Sequence, residues 1–127
     1  DQAIKARQGL MQFYAMNLGV LGAMAKGERD YDAAAAGTAA ANIAGVTQLN
    51  MSMLWPEGSD DMSLDGSRAL PAIWENMADV GAKSAAMREA ALAMEAAAGT
   101  DLASLQAAMG ALGGACGDCH KAYRTPQ

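Results

Sequence analysis

Apolar residues recur at spacings of three and four along most of this chain, which is the period of one face of an α-helix. Breaks rich in Gly, Pro, Ser or Asp divide the pattern into four segments that begin near Gln2, Tyr31, Pro71 and Thr100. Residues that favour helices are abundant, and no alternating run of β-branched residues indicates a strand. The sequence therefore predicts an all-α fold, an antiparallel four-helix bundle.

The first two segments predict helices from Gln2 to Ala25 and from Tyr31 to Met53, with Gly27 ending the first. A projection of about 100° per residue gives each helix one buried face. In the first helix that face comprises Ile4, Arg7, Met11, Tyr14, Leu18 and Ala25. In the second it comprises Ala35, Ala39, Val46 and Leu49.

The third helix is predicted to start at Pro71, which suits a first turn, and the fourth to be capped by Thr100. The predicted face of the third is Ile73, Met77, Val80, Ser84, Met87, Ala91 and Met94. That of the fourth is Leu102, Leu105, Met109, Leu112, Gly113, Cys116, His120 and Tyr123. Each methionine in these faces, taken alone, is interpreted as core packing.

Length and charge limit the kinds of protein that this chain can be. Its 127 residues predict a single domain, residues 1–127. A net charge of −5 without a basic run argues against nucleic-acid binding. No apolar stretch approaches the roughly 18 residues of a transmembrane helix. No secretory leader is visible, and a start at Asp1 is compatible with the cleavage of one. With one Phe and two Trp, the core has room for a bulky apolar guest.

The stretch GGACGDCHKAYR, residues 113–124, holds both cysteines and the only histidine. Cys-x-x-Cys-His is the sequence mark of covalent haem attachment. Residues three apart lie on nearly one side of a helical turn, so the thiols of Cys116 and Cys119 can add to the two vinyl groups along one haem edge. His120 can then bind the iron, while a Cβ at Gly113, on the same face, could obstruct the flat ring. Such attachment normally occurs outside the cytoplasmic membrane, which predicts a periplasmic or otherwise exported protein.

Three other interpretations of the two cysteines remain open, although haem attachment is favoured over each. A thioredoxin-like pair usually lies at a helix N-terminus, whereas this pair lies near a C-terminus. A structural zinc site needs four ligands, and Asp118 would be a poor fourth. A simple disulfide is the last alternative. Under the first two of these interpretations the protein would be a helical bundle without haem, active in thiol redox chemistry or in metal binding.

The sequence resembles the class II cytochromes c, which comprise cytochrome c′ and its low-spin relatives. The resemblance is carried by RQGLM, LGAMAKGERDYD, LPAIWENM and GGACGDCHKAYR, and it covers nearly the whole chain. It implies a four-helix bundle with one haem c attached near the C-terminus. It also implies that Cys116 and Cys119 form the thioethers and that His120 is the fifth iron ligand.

The resemblance assigns further residues to the haem surroundings. Arg7 and Gln8 match a pair at the haem edge, and Trp74 matches a tryptophan packed near the haem, although ordinary core packing would also explain it. Tyr123 lies on the haem-facing side of the last helix. Arg124 either reaches a propionate or caps that helix. Independently of the resemblance, a charge in an apolar stripe needs a partner, so Arg7 is predicted to meet a haem propionate or a carboxylate from another helix.

The family divides at the sixth iron position, which the resemblance assigns to Met11. A bound thioether gives low-spin His/Met iron, which suits electron transfer. An apolar blocker gives the high-spin iron of cytochrome c′, which binds nitric oxide or carbon monoxide. We predict Met11 ligation, and hence an electron carrier rather than an enzyme. Its partners are then unidentified redox proteins with basic docking faces. A homodimer through the first two helices remains open, as do gas binding and a merely space-filling Met11.

Overall fold

The structure, a computed structural model, describes residues 1–126. Its long helices are α1 (Gln2–Ala25), α2 (Ala33–Thr47), α4 (Met77–Ala98) and α5 (Leu102–Tyr123). A 3-10 turn (Ser52–Leu54) and a short helix, α3 (Ala72–Glu75), lie between α2 and α4. No strand occurs among residues 1–126, where a single bridge pairs Ala69 with Arg124. The all-α prediction is therefore confirmed.

Contacts at one end of the molecule establish the antiparallel arrangement. The Tyr31 hydroxyl, before α2, donates to the Ala98 carbonyl at the end of α4 (2.7 Å). Gln106, near the start of α5, donates to the Ala25 carbonyl at the end of α1 (2.9 Å). Since the ends of α1 and α4 meet the starts of α2 and α5, successive long helices run in opposite directions. The predicted four-helix bundle is confirmed. No helix among residues 1–126 has the length and apolar character to span a membrane.

Helix α1 has the predicted limits, and its end is built around Gly27. The Glu28 N–H donates to the Ala23 carbonyl (2.9 Å) and the Gly27 N–H to the Met24 carbonyl (3.2 Å). This pair of bonds requires a left-handed residue after the helix, and Gly27 has a φ of 77°. A glycine adopts that conformation without a steric penalty, so the terminator prediction is confirmed.

The predicted limits of the other helices are partly wrong, because polar side chains bond the local backbone. Helix α2 ends at Thr47 rather than Met53, and the Asn50 side chain accepts from the Ser52 N–H (3.0 Å) in the turn that follows. Leu49 consequently lies outside the helix and is exposed, not buried. The third predicted helix is broken at Asn76, which has a ψ of 44° and donates its amide to the Ala72 carbonyl (2.9 Å).

The cap of α5 is Asp101 rather than Thr100. The Asp101 carboxylate accepts from the Ser104 N–H (2.7 Å). The Thr100 hydroxyl instead donates backwards to the Ala96 carbonyl (3.1 Å), so it acts at the end of α4.

The buried face of α1 rotates along the helix. Its buried residues are Ile4, Arg7, Tyr14, Asn17, Leu21 and Met24. Among these, Arg7, Tyr14 and Leu21 are spaced seven residues apart. A seven-residue repeat equals about 3.5 residues per turn, which is the period of left-handed bundle packing, whereas a straight helix has about 3.6. The buried face predicted for a straight helix is therefore wrong in the second half of α1, where Leu18 and Ala25 are only half-buried.

The core is closed at one end of the bundle and open at the other. At the closed end Leu21, Met24, Met94 and Leu105 are fully buried. In α4, burial decreases towards the other end, so that Met87 is half-buried and Met77 is exposed. The open end comprises the start of α1, the start of α4 and the end of α5.

Leu105→Ala should lower the free energy of unfolding by about 2–5 kcal/mol, because it leaves a cavity in the closed end. Chemical denaturation measures the change. Leu92→Ala is the matched control, since Leu92 is 44% exposed on α4 and should cost less than about 1 kcal/mol. Equal losses for the two variants would contradict this description of the core.

Candidate functional site

The open end carries Cys116, Cys119 and His120 within the last two turns of α5. The helix is continuous through all three residues, so both thiols lie within one turn. All three side chains are half-buried, and both cysteines are free thiols. One ligand can therefore reach both thiols and the imidazole from the same side of α5.

The thiols are surrounded by apolar groups of other helices. The Cys116 Sγ lies 3.7 Å from the Met87 Sδ of α4, and Cys119 packs on the cluster formed by Ala69, Ile73 and Tyr123. Burial raises the pKa of both thiols. A raised thiol pKa is the opposite of what a thiol-redox protein requires of its reactive cysteine. The environment therefore does not favour the thioredoxin-like interpretation.

The imidazole of His120 lies beside two arginines. Burial lowers the pKa of His120, and the positive charges of Arg124 and Arg68 lower it further. The neutral imidazole, which is the metal-binding form, is thereby favoured. Arg124 is the C-cap residue of α5, and its N–H donates to the His120 carbonyl (3.1 Å). Within residues 1–126 no group of three or more His, Cys, Asp or Glu side chains is placed to hold a metal ion.

Met11 is an exposed side chain on the otherwise buried face at the start of α1. Its direction around the helix lies between those of Ile4 and Arg7, which are only 4% and 5% exposed. Met11 itself is 42% exposed, whereas Met24 and Met94 are fully buried. The core-packing interpretation thus describes Met24 and Met94 but not Met11. The Met11 thioether is free to interact with a group placed in the open end.

Arg7 is buried and binds the loop between α2 and α3. Its guanidinium donates to the Leu54 carbonyl (2.9 Å), to the hydroxyl and carbonyl of Ser59 (2.8 and 2.6 Å) and to the Ser67 hydroxyl (3.0 Å). It also lies over the Trp55 ring, 4.6 Å from the centroid. The carboxylate partner predicted as one alternative is not among these contacts, so that alternative is wrong. The propionate contact remains a prediction.

Gln8 and Trp74 also contact this loop. The Gln8 amide donates to the Gly66 carbonyl (2.8 Å), and the Trp74 indole donates to the Trp55 carbonyl (3.1 Å). The two tryptophan rings pack edge to face, with centroids 6.3 Å apart. Ser59, Ser67 and Trp55 were not identified from the sequence. The only available signal was the serine-rich composition of the loop.

Gly113 and Tyr123 complete the α5 side of the site. A Cβ added at Gly113 would meet no heavy atom within 4 Å outside its own helix. The same is true of every other glycine in residues 1–126 except Gly99, so this observation does not distinguish Gly113, and its place beside the haem stays a prediction. Tyr123 is buried, and its hydroxyl donates to the Asp79 carboxylate of α4. That hydrogen bond raises the pKa of Tyr123 to about 12, so the phenol stays protonated and connects α5 to α4.

These residues fit a covalently attached haem. Two thiols share one turn, and the adjacent imidazole favours its neutral form. The core is incomplete where Met11 and Met77 are exposed. An apolar macrocycle would cover surface that the helices leave exposed.

Comparisons with known proteins support the same cofactor. The family described as Cytochrome C′ matches residues 2–124. Cytochrome c-554 of Cereibacter sphaeroides is 51% identical over 98% of this chain and 81% of its own length. A solved cytochrome c′ from Rhodobacter spheroides has a TM-score of 0.96 and 38% identity, over 99% of this chain and 97% of its own.

Two further solved cytochromes c′ are described by a bound gas or by an effect of a ligand. A carbon monoxide-bound variant from Alcaligenes xylosoxidans has a TM-score of 0.84 and 30% identity, over 98% of this chain and 94% of its own. Another is described as having an unusual ligand-controlled dimer dissociation. It has a TM-score of 0.90 and 30% identity, over 98% of this chain and 95% of its own. These relationships imply one covalently bound haem c.

Proposed function

The chain belongs to the cytochrome c′ family and is a monohaem c-type cytochrome, and from this premise we propose that it is a periplasmic electron carrier with His120 and Met11 as axial ligands. The observation that carries the proposal is the exposed Met11 side chain, in a position flanked by buried residues.

Each residue has a defined task in this proposal. Cys116 and Cys119 would hold the haem through thioethers, each formed when a thiol S–H adds across one vinyl group. His120 and Met11 would each offer the iron a lone pair, from nitrogen and from sulfur. Haem iron supplies a one-electron couple, and His/Met ligation raises its potential. With both ligands bound in either oxidation state, little rearrangement would accompany electron transfer.

The proposed partners are redox proteins with a basic docking face, since the chain has a net charge of −5. No substrate is transformed, so the role is that of a carrier rather than an enzyme. We propose that residues 1–127 form one domain.

Gas binding is the second candidate function, and it is favoured by the similarity to the carbon monoxide-bound cytochrome c′. In that case Met11 would be a blocker that never bonds the iron.

Carbon monoxide separates the two functions. The ferrous protein is expected to bind carbon monoxide only slowly, because Met11 must first leave the iron. A stopped-flow absorbance measurement records the reaction. Rapid and complete formation of a carbon monoxide complex would contradict the carrier proposal and support gas binding.

A further inference from the structure

Residues 67–70, here called the strap, bind the end of α5 just beyond His120. The Leu70 N–H donates to the Tyr123 carbonyl (2.9 Å), and the Thr125 N–H donates to the Arg68 carbonyl (2.8 Å). The Arg68 guanidinium also donates to the Thr125 carbonyl (2.8 Å). The strap thus holds Tyr123, the last residue of α5, and Thr125, two residues beyond it, by backbone and side-chain bonds.

The other end of the strap binds α1. The Ser67 hydroxyl accepts from Arg7 (3.0 Å) and donates to the Ser59 carbonyl (2.7 Å). Arg7, Ser59 and Ser67 are all buried. Hydrogen bonds from a charged donor are stronger than neutral ones, and burial shields them from water. One short segment therefore connects α1 to α5 by a continuous series of hydrogen bonds.

These connections lie close in sequence to both proposed axial ligands. Arg7 is one turn before Met11 on α1, and Tyr123 is three residues after His120. The open end has a small apolar cluster formed by Ala69, Ile73 and Tyr123, to which no residue of α1 belongs, and Met11 and Met77 are exposed there. The hydrogen bonds through the strap therefore connect α1 to α5 where this apolar cluster does not, and they are placed to fix the spacing of the two helices at this end.

We propose that Ser67 and Arg68 are positioning residues that set the distance between Met11 and His120 and so keep the Met11 thioether on the iron. The inference rests on the proposed His/Met ligation. A looser strap lets α1 move away from α5, which raises the fraction of molecules with Met11 dissociated. The site then becomes accessible to carbon monoxide without any change to either ligand.

Arg68→Gln and Ser67→Ala holoprotein variants test this role. Each should raise the carbon monoxide association rate of the ferrous protein about tenfold, the factor expected for the loss of one charge-assisted hydrogen bond. The far-red sulfur-to-iron band of the ferric protein should disappear at a temperature well below that of global unfolding. Arg68→Lys, which can still donate to the Thr125 carbonyl, should restore most of the wild-type behaviour.

Arg88→Gln is the matched control. Arg88 is an exposed arginine of α4 that donates to Gln48 (2.7 Å) and does not contact the strap, so this variant should bind carbon monoxide like the wild type. Unchanged carbon monoxide rates in Arg68→Gln and Ser67→Ala would overturn the inference while leaving the proposed function intact. Loss of the far-red band only together with global unfolding would also overturn it, because a merely structural role predicts that. Absence of the band from the wild type would refute the His/Met ligation and, with it, the strap's role.

Discussion

Replacing Met11 with alanine is expected to convert the ferric protein completely from low-spin to high-spin. The side chain is exposed at the open end, so its loss leaves no cavity in the closed core. Alanine offers no lone pair to the iron, and the sixth position becomes available. The far-red sulfur-to-iron band should vanish, and the ferrous variant should bind carbon monoxide rapidly and fully. Absorption spectroscopy of both oxidation states measures these changes.

Met16→Ala is the control for Met11→Ala. Met16 lies on the same helix, is 70% exposed and points to a different side of α1 from Met11. Its replacement should leave the spin state and the carbon monoxide reaction unchanged. A Met11→Ala protein with a wild-type ferric spectrum would show that Met11 is not a ligand.

The double variant Cys116→Ser/Cys119→Ser is expected to lose covalent haem entirely. A serine hydroxyl is a much weaker nucleophile than a thiol, so neither thioether should form. Denaturation followed by mass spectrometry should give the bare chain, whereas the wild type should retain the added mass of one haem. Each single variant serves as a control and should keep its haem through the remaining thioether. Haem mass that survives denaturation in the double variant would place the attachment elsewhere.

Local signals in the sequence were sufficient to predict the long helices and the attachment motif. The limits of α1 and its end at Gly27 depend on interactions within six residues, so the sequence contains them directly. The shared turn of Cys116 and Cys119 follows from their spacing once the segment is helical. Predictions of this kind require no knowledge of the rest of the fold.

The features that the sequence did not reveal depend on distant parts of the chain. Arg7 bonds to Ser59 and Ser67, which are 52 and 60 residues away, and only the folded loop brings them together. The rotation of the buried face of α1 arises from packing against other helices, which a projection of one helix does not contain. The break at Asn76 depends on a side-chain bond that competes with a helical one.

The spin state of the isolated ferric wild-type protein is the most direct test of this account. Electron paramagnetic resonance, together with near-infrared magnetic circular dichroism, reports both the spin state and the presence of a sulfur ligand. We predict a low-spin signal with the far-red sulfur-to-iron band, as His120 and Met11 ligation requires. A high-spin signal without that band would contradict the electron-carrier proposal and identify the protein as a gas-binding member of its family.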